Sequence, residues 1–116
     1  MLRALLAGCF ALALTLPASA ESPAVTPDAD RMMWCASAFF WLAGSAADAG
    51  DATEADLYDD WATELTEGGT MLLNAAGFDL ARIQEIIGEY DQVVLDELAG
   101  EKPRYDVAVC PELVAE

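Results

Sequence analysis

The stretch from Met32 to Ala47 contains no charged residue, and this is the strongest constraint on how the chain folds. Just before it, Thr26 can cap a helix and Pro27 suits the first helical position, so the sequence predicts a helix from Pro27 to about Ala49. Apolar residues lie on every side of this helix through its centre. A helix of that kind must lie in the middle of a bundle or be covered by a partner.

Two further segments are amphipathic and can provide that cover. The second helix is predicted to begin after Asp51, where the run through Glu54 resembles a capping box, and to close at Gly77. The paired glycines Gly68-Gly69 interrupt it and predict a kink or a close helix contact. The third helix is predicted between the capping residue Asp79 and Gly100, because apolar residues recur there with helical spacing.

The N-terminal residues have the pattern of a signal peptide. One positive charge at Arg3 is followed by an uncharged apolar run, and Ala18-Ser19-Ala20 then matches the small residues that signal peptidase accepts. We therefore predict a signal peptide at residues 1–20 and an acidic helical domain at residues 21–116. That domain has no predicted membrane span, and we expect it to be periplasmic or secreted. A lipoprotein signal is the alternative, because the residues before Cys9 resemble a lipobox, although the apolar run ahead of it is short.

Two cysteines remain once Cys9 is removed. An even count in a small exported chain predicts a disulfide between Cys35 and Cys110, and two free buried thiols are the alternative. A short fourth helix is predicted at Tyr105 to Val109, ended by Cys110-Pro111, so the bond would attach it to the first helix. The predicted fold class is therefore all-α, with three main helices plus a short C-terminal helix in one disulfide-stapled domain.

The charge balance restricts the partners. Without residues 1–20 the chain keeps 21 acidic and four basic residues, so its net charge becomes −17. This balance argues against nucleic acid and anionic lipid as partners, since both are themselves negative. A protein partner, an apolar ligand and a homodimer all stay open.

The residue types also restrict the chemistry. The sequence has no histidine, which excludes triads with a histidine base and the usual zinc sites. It has no glycine-rich phosphate loop, and the predicted disulfide occupies both remaining cysteines. We therefore predict no catalytic residue, no metal site and no cofactor. A pair of carboxylates acting as in glycosidases is a distant alternative, because acidic residues are numerous.

Two sets of side chains are candidates for an interaction face. The aromatic set lies on the first helix and has core packing as its plainer interpretation. The acidic set recurs every four residues on the second helix, where it forms either a docking face for a basic partner, a weak calcium site or a solvated helix face. The candidate residues are Trp34, Phe40, Trp41, Asp56, Asp60 and Glu64.

Two short motifs carry a resemblance. The run Cys-x-x-x-Phe-Phe from Cys35 to Phe40 and the run Arg-Tyr-Asp-x-x-x-Cys-Pro from Arg104 to Pro111 resemble those of small exported helical proteins of Gram-negative bacteria, which carry no known activity. In size, helices and single disulfide the chain also looks like the acid-stress chaperones of the periplasm. We therefore expect a non-enzymatic periplasmic binding or protein-interaction module. The alternatives are a stress chaperone that exposes its aromatic helix and, more distantly, a carboxylate-dependent hydrolase.

Overall fold

Three long helices account for most of the chain that the structure describes. The structure is a computed structural model, and it describes residues 24–100 and 102–114, so the predicted signal peptide and Cys9 lie outside the described residues. The long helices are α1 (Pro27–Asp48), α2 (Ala52–Ala75) and α3 (Leu80–Ala99). A 3-10 turn at Val107–Val109 and a short helix α4 (Pro111–Val114) follow. This arrangement confirms the predicted all-α class.

Side-chain caps begin each long helix where the sequence predicted. Thr26 Oγ1 accepts a hydrogen bond from the Ala29 N–H at 3.3 Å, and Asp51 Oδ1 accepts one from the Glu54 N–H at 3.0 Å. Asp79 caps α3 in the same way. Each cap satisfies a backbone donor that has no partner within the helix, so these boundaries follow from local sequence alone.

The C-terminal helix differs from the prediction. The predicted segment at Tyr105 to Val109 forms only the 3-10 turn, which Asp106 caps by accepting from the Ala108 N–H at 2.9 Å. The helix itself starts at Pro111, the residue that was expected to end it. Proline lacks an N–H and has a helical φ, so it suits the first turn of a new helix as well as the end of an old one.

Helix α1 is the centre of the bundle. It makes its most extensive contacts with α2 and further contacts with α3, whereas α2 and α3 touch each other little. Trp34 and Phe39 of α1 are almost completely buried, together with Leu65 of α2 and Val94 of α3. The uncharged stretch is therefore covered from two sides, which removes most of its apolar surface from water.

The paired glycines let α1 and α2 approach closely, and α2 runs unbroken through them. A Cβ atom added at Gly69 would lie 3.1 Å from Cγ of the buried Met33, and one added at Gly68 would lie 2.7 Å from Sδ of Met32. A close helix contact, rather than a break in the helix, is thus what these glycines provide.

A disulfide joins the centre of α1 to the C-terminal segment. The sulfur atoms of Cys35 and Cys110 are 2.05 Å apart, and both residues are buried. The bond closes a loop with a sequence separation of 75 residues and holds α4 against the bundle. None of the described helices combines the length and the hydropathy that a membrane crossing requires.

Reduction of the disulfide should destabilise the protein markedly. Opening a loop of this length restores conformational freedom to the unfolded chain, and the expected loss in the free energy of unfolding is about 2–4 kcal/mol. Thermal melts with and without reductant measure this loss, and the intact mass should rise by the mass of two hydrogen atoms on reduction. Labelling of the unreduced, denatured protein by a maleimide at both positions would contradict the bond.

Gly69→Ala and Gly88→Ala should change stability in opposite directions. Both replacements favour the helix by about 1 kcal/mol through backbone entropy. A methyl group at Gly88 meets nothing within 4 Å, so Gly88→Ala should stabilise. At Gly69 it collides with the buried Met33 side chain, and overpacking of about 1–3 kcal/mol should prevail. Urea denaturation of the two variants makes the comparison, and equal stabilisation would show that α1 and α2 are not in close contact there.

Candidate functional site

An open groove lies between α2 and α3, with α1 as its floor. It encloses about 360 Å³. Ala36 and Met33 of α1 and Ala62 of α2 form the bottom, Ile87 of α3 lies on one side, and the ring of Phe40 lies at one end. The groove exists because α2 and α3 both pack on α1 and contact each other little, so the side of α1 between them is not fully covered.

A second depression continues the first along α1 and α2. It encloses about 270 Å³ and shares Phe40 and Asp59 with the first, so the two are contiguous at those side chains. Gly44 and Ala47 of α1 and Ala55 of α2 line its floor. We call the combined feature the acid-rimmed groove. Small side chains recur along both helices at helical spacing, and they leave room that larger residues would fill.

Carboxylates stand on the edges of this groove. Asp59 and Glu67 are exposed, lie two helical turns apart on α2 and line it, and Asp91 of α3 lines the opposite edge. Asp91 Oδ1 accepts a hydrogen bond from the Ser37 hydroxyl at 2.7 Å. Within residues 24–100 and 102–114, no arginine or lysine lines either part of the groove. The groove therefore combines an apolar floor with a negative potential.

The three predicted aromatic residues have three different environments. Trp34 is fully buried, so it is not open to a partner in this structure. Trp41 is half-buried, and its indole N–H donates to the Asp91 carbonyl oxygen at 2.8 Å. Phe40 is 50% exposed and lines both parts of the groove. Helical spacing could not separate these cases, because α1 is apolar on every side.

The predicted acidic stripe lies elsewhere on α2. Asp56, Asp60 and Glu64 are all exposed, and the first two line a separate, more open depression of about 680 Å³ around Leu57 and Trp61 rather than the groove. The described residues contain no group of acidic or cysteine side chains arranged to hold a metal ion. The structure therefore does not bring the aromatic and acidic candidates together into one face.

The carboxylates that do line the groove were missed as site residues. Asp59 and Glu67 lie beside the stripe in sequence, and nothing in the charge pattern distinguishes them from it. Their position around the helix axis could have distinguished them. Asp59 and Glu67 lie next to Ala55 and Ala62, on the side of α2 that faces α1 and carries small residues. Recognising it requires knowing which face of α2 meets α1.

A polar network covers the buried Trp34. The Arg104 guanidinium lies between two carboxylates, at 2.9 Å from Asp30 Oδ1 and 2.8 Å from Glu97 Oε2. Glu97 Oε1 also accepts from the Trp34 indole N–H at 3.0 Å. The ring of Tyr105 packs edge-on against Trp34, with centroids 5.6 Å apart, and its hydroxyl donates to Asp30 Oδ2 at 2.6 Å. This network attaches the segment before α4 to both α1 and α3.

The network shifts the ionisation of its members. Hydrogen bonds from the Arg104 side chain hold the pKa of the Glu97 carboxyl below its ordinary value, and partial burial opposes that effect. The Arg104 N–H and the Trp34 indole act in the same direction as the guanidinium. Burial, followed by the hydrogen bond to Asp30, raises the pKa of Tyr90 far above its ordinary value. Glu97 is thus held as the carboxylate and Tyr90 as the phenol.

Comparisons with known proteins identify no relative of this chain: no family model, no curated protein and no solved structure matches it.

Proposed function

We propose that this chain is an exported, non-enzymatic binding module that engages a protein partner through the acid-rimmed groove. The observation that carries the proposal is the half-exposed Phe40 ring, which lies between two contiguous apolar depressions rimmed by carboxylates. An aromatic side chain left half in water beside an unfilled apolar groove is a typical anchor point for a partner.

Several features support binding rather than catalysis. The sequence has no histidine to act as a base near neutral pH, and the disulfide removes Cys35 and Cys110 as nucleophiles. Ser37, which lines the groove, donates its hydroxyl hydrogen to Asp91, and a carboxylate alone is a weak base for activating an alcohol. A hydrolase built on paired carboxylates stays the distant alternative.

Placement outside the cytoplasm rests on two features. The N-terminal pattern at residues 1–20 is typical of a signal peptide, and a structural disulfide persists in oxidising compartments. In a Gram-negative cell this corresponds to the periplasm or the medium.

Site-specific photo-crosslinking tests the groove as the binding surface. A benzophenone analogue of phenylalanine replaces Phe40 in one variant and Met71 in the other, since Met71 is 72% exposed but lines no part of the groove. In cells that export the chain, position 40 should give a discrete adduct and position 71 should not. Adducts of equal yield from both positions, or none from position 40, would refute the proposal.

A stress chaperone is the second candidate, and the polar network favours it. Trp34 is covered by Glu97, Arg104 and Tyr105, and Arg104 and Tyr105 are in turn held by the carboxylate of Asp30. Two carboxylates, Glu97 and Asp30, therefore hold this cover in place. Protonation of Glu97 would remove the charge that pairs with Arg104 and weaken the cover over Trp34. Under this hypothesis strong acid exposes the aromatic helix to unfolded clients.

The pH dependence of Glu97→Gln tests that mechanism. Because the folded pKa of Glu97 is lowered, its stabilising contribution is present above the unfolded pKa of about 4.3 and is lost as pH falls through the folded pKa. Glu97→Gln should therefore be less stable at pH 7, by about 1–2 kcal/mol, and should lose less stability between about pH 5 and pH 3 than the parent. Urea denaturation at each pH measures both effects.

The neighbouring variant Asp96→Asn is the matched control, because Asp96 is exposed and its side chain lies outside the network. For the chaperone hypothesis, a dye that binds exposed apolar surface should also bind the parent below about pH 4. Parallel stability curves for Glu97→Gln and Asp96→Asn would show that Glu97 does not hold the cover.

A further inference from the structure

We propose that the occupant of the acid-rimmed groove is an amphipathic helix of a partner protein, with apolar residues on one face and lysine or arginine along its edge. The inference rests on the proposed function and adds the chemical class of the partner. Its support comes from the length of the groove, the size of the side chains on its floor and the sign of the charge on its edges.

The length of the groove fits a helix of about four turns. Along α1 it extends from Met33 to Ala47, which at 1.5 Å per residue is about 21 Å. Along α2 it runs from Ala55 to Glu67, a similar distance. A trough between two long helices is the shape into which an amphipathic helix lays its apolar face, with anchors spaced three or four residues apart.

The floor allows a close approach of a third helix. Ala36, Gly44 and Ala47 on α1 and Ala55 and Ala62 on α2 carry at most a methyl group. Large side chains of the partner can therefore reach into the groove, where one or two would contact Phe40 from either side. The exposed half of the Phe40 ring would be buried against these partner side chains. This contact would be the main anchor of the complex, since aromatic side chains dominate the energetics of such interfaces.

The charges select a basic partner. Asp59 and Glu67 are two turns apart on one edge, so lysines or arginines spaced about seven or eight residues apart on the partner can meet both. The three arginines in the described part of the chain form ion pairs elsewhere: Arg31 with Asp28, Arg82 with Glu85 and Glu89, and Arg104 with the network carboxylates.

The same charges disfavour the other occupants. A second copy of the exported chain would bring the net charge of −17 given above against a negative rim, so self-association through the groove is repelled. An anionic membrane surface is repelled for the same reason. A basic helix gains attraction during approach as well as in the complex, because complementary potentials raise the association rate.

Designed peptides test the proposal directly. The probe is a helical peptide of about 18 residues with leucine on one face and lysine on both edges. One control peptide has glutamate in place of lysine, and the other has the same composition with the leucines distributed around the helix. Titration calorimetry against the oxidised domain at low salt should detect binding of the lysine peptide alone, and added salt should weaken it.

Paired variants locate the site. Phe40→Ala should weaken binding of the lysine peptide about tenfold, the amount expected for an interface anchor, whereas Met71→Ala should leave it unchanged. Asp59→Asn with Glu67→Gln should weaken it at least about threefold at low salt. Asp56→Asn with Glu64→Gln removes the same two charges at the same spacing from outside the groove and should have a smaller effect. Melting temperatures confirm that each variant is folded.

The outcomes separate this proposal from the one on which it rests. If the position-40 crosslink forms but the lysine and glutamate peptides bind equally or not at all, the groove is a binding site and its partner is not a basic helix. If the Asp56→Asn/Glu64→Gln variant loses more affinity for the lysine peptide than the Asp59→Asn/Glu67→Gln variant, the peptide binds at the acidic stripe. That result would overturn the proposal. Dimerisation that Phe40→Ala abolishes, or uptake of a fatty acid that competes with the peptide, would assign the groove to those occupants instead.

Discussion

Burial of the uncharged helix α1 is the constraint on which the rest of the structure depends. Water cannot cover a helix that is apolar on all sides without a large hydration penalty, so α2 and α3 must both pack against it. The disulfide from Cys35 then adds the C-terminal segment to the cover. In a domain of this size the two effects act together, because a small core alone leaves little net stability.

Helices α2 and α3 do not cover α1 completely, and the uncovered part of α1 is the candidate site. At Gly69, where α2 packs against the buried Met33 side chain of α1, a methyl group does not fit without displacing Met33. Further along, small side chains on both helices leave the acid-rimmed groove open and the Phe40 ring half in water. The same helix pair therefore contains both a close-packed contact and an unfilled one.

On another side of α1, the basic residue Arg104 helps to keep Trp34 covered. Arg104 lies between Asp30 and Glu97, and this arrangement places the loop before α4 over Trp34. A charge-assisted pair that is partly screened from water is stronger than the exposed pairs made by Arg31 and Arg82. One face of α1 is thus covered by the hydrogen bonds and ion pairs around Arg104, and the other is left open beside the carboxylates of Asp59 and Glu67.

The sequence by itself determined the all-α class and the N-terminal caps of the long helices at Thr26, Asp51 and Asp79, because caps and apolar spacing are local signals. It predicted the bond between Cys35 and Cys110 only on the premise that Cys9 is lost with the signal peptide, and the structure forms that bond. Only the tertiary structure decided that Trp34 is buried while Phe40 is half exposed. It also decided that Asp59 rather than Asp56 lines the groove. A helix that is apolar all round has no preferred face, so the exposure of its side chains depends on where α3 and the distant Arg104 segment come to rest.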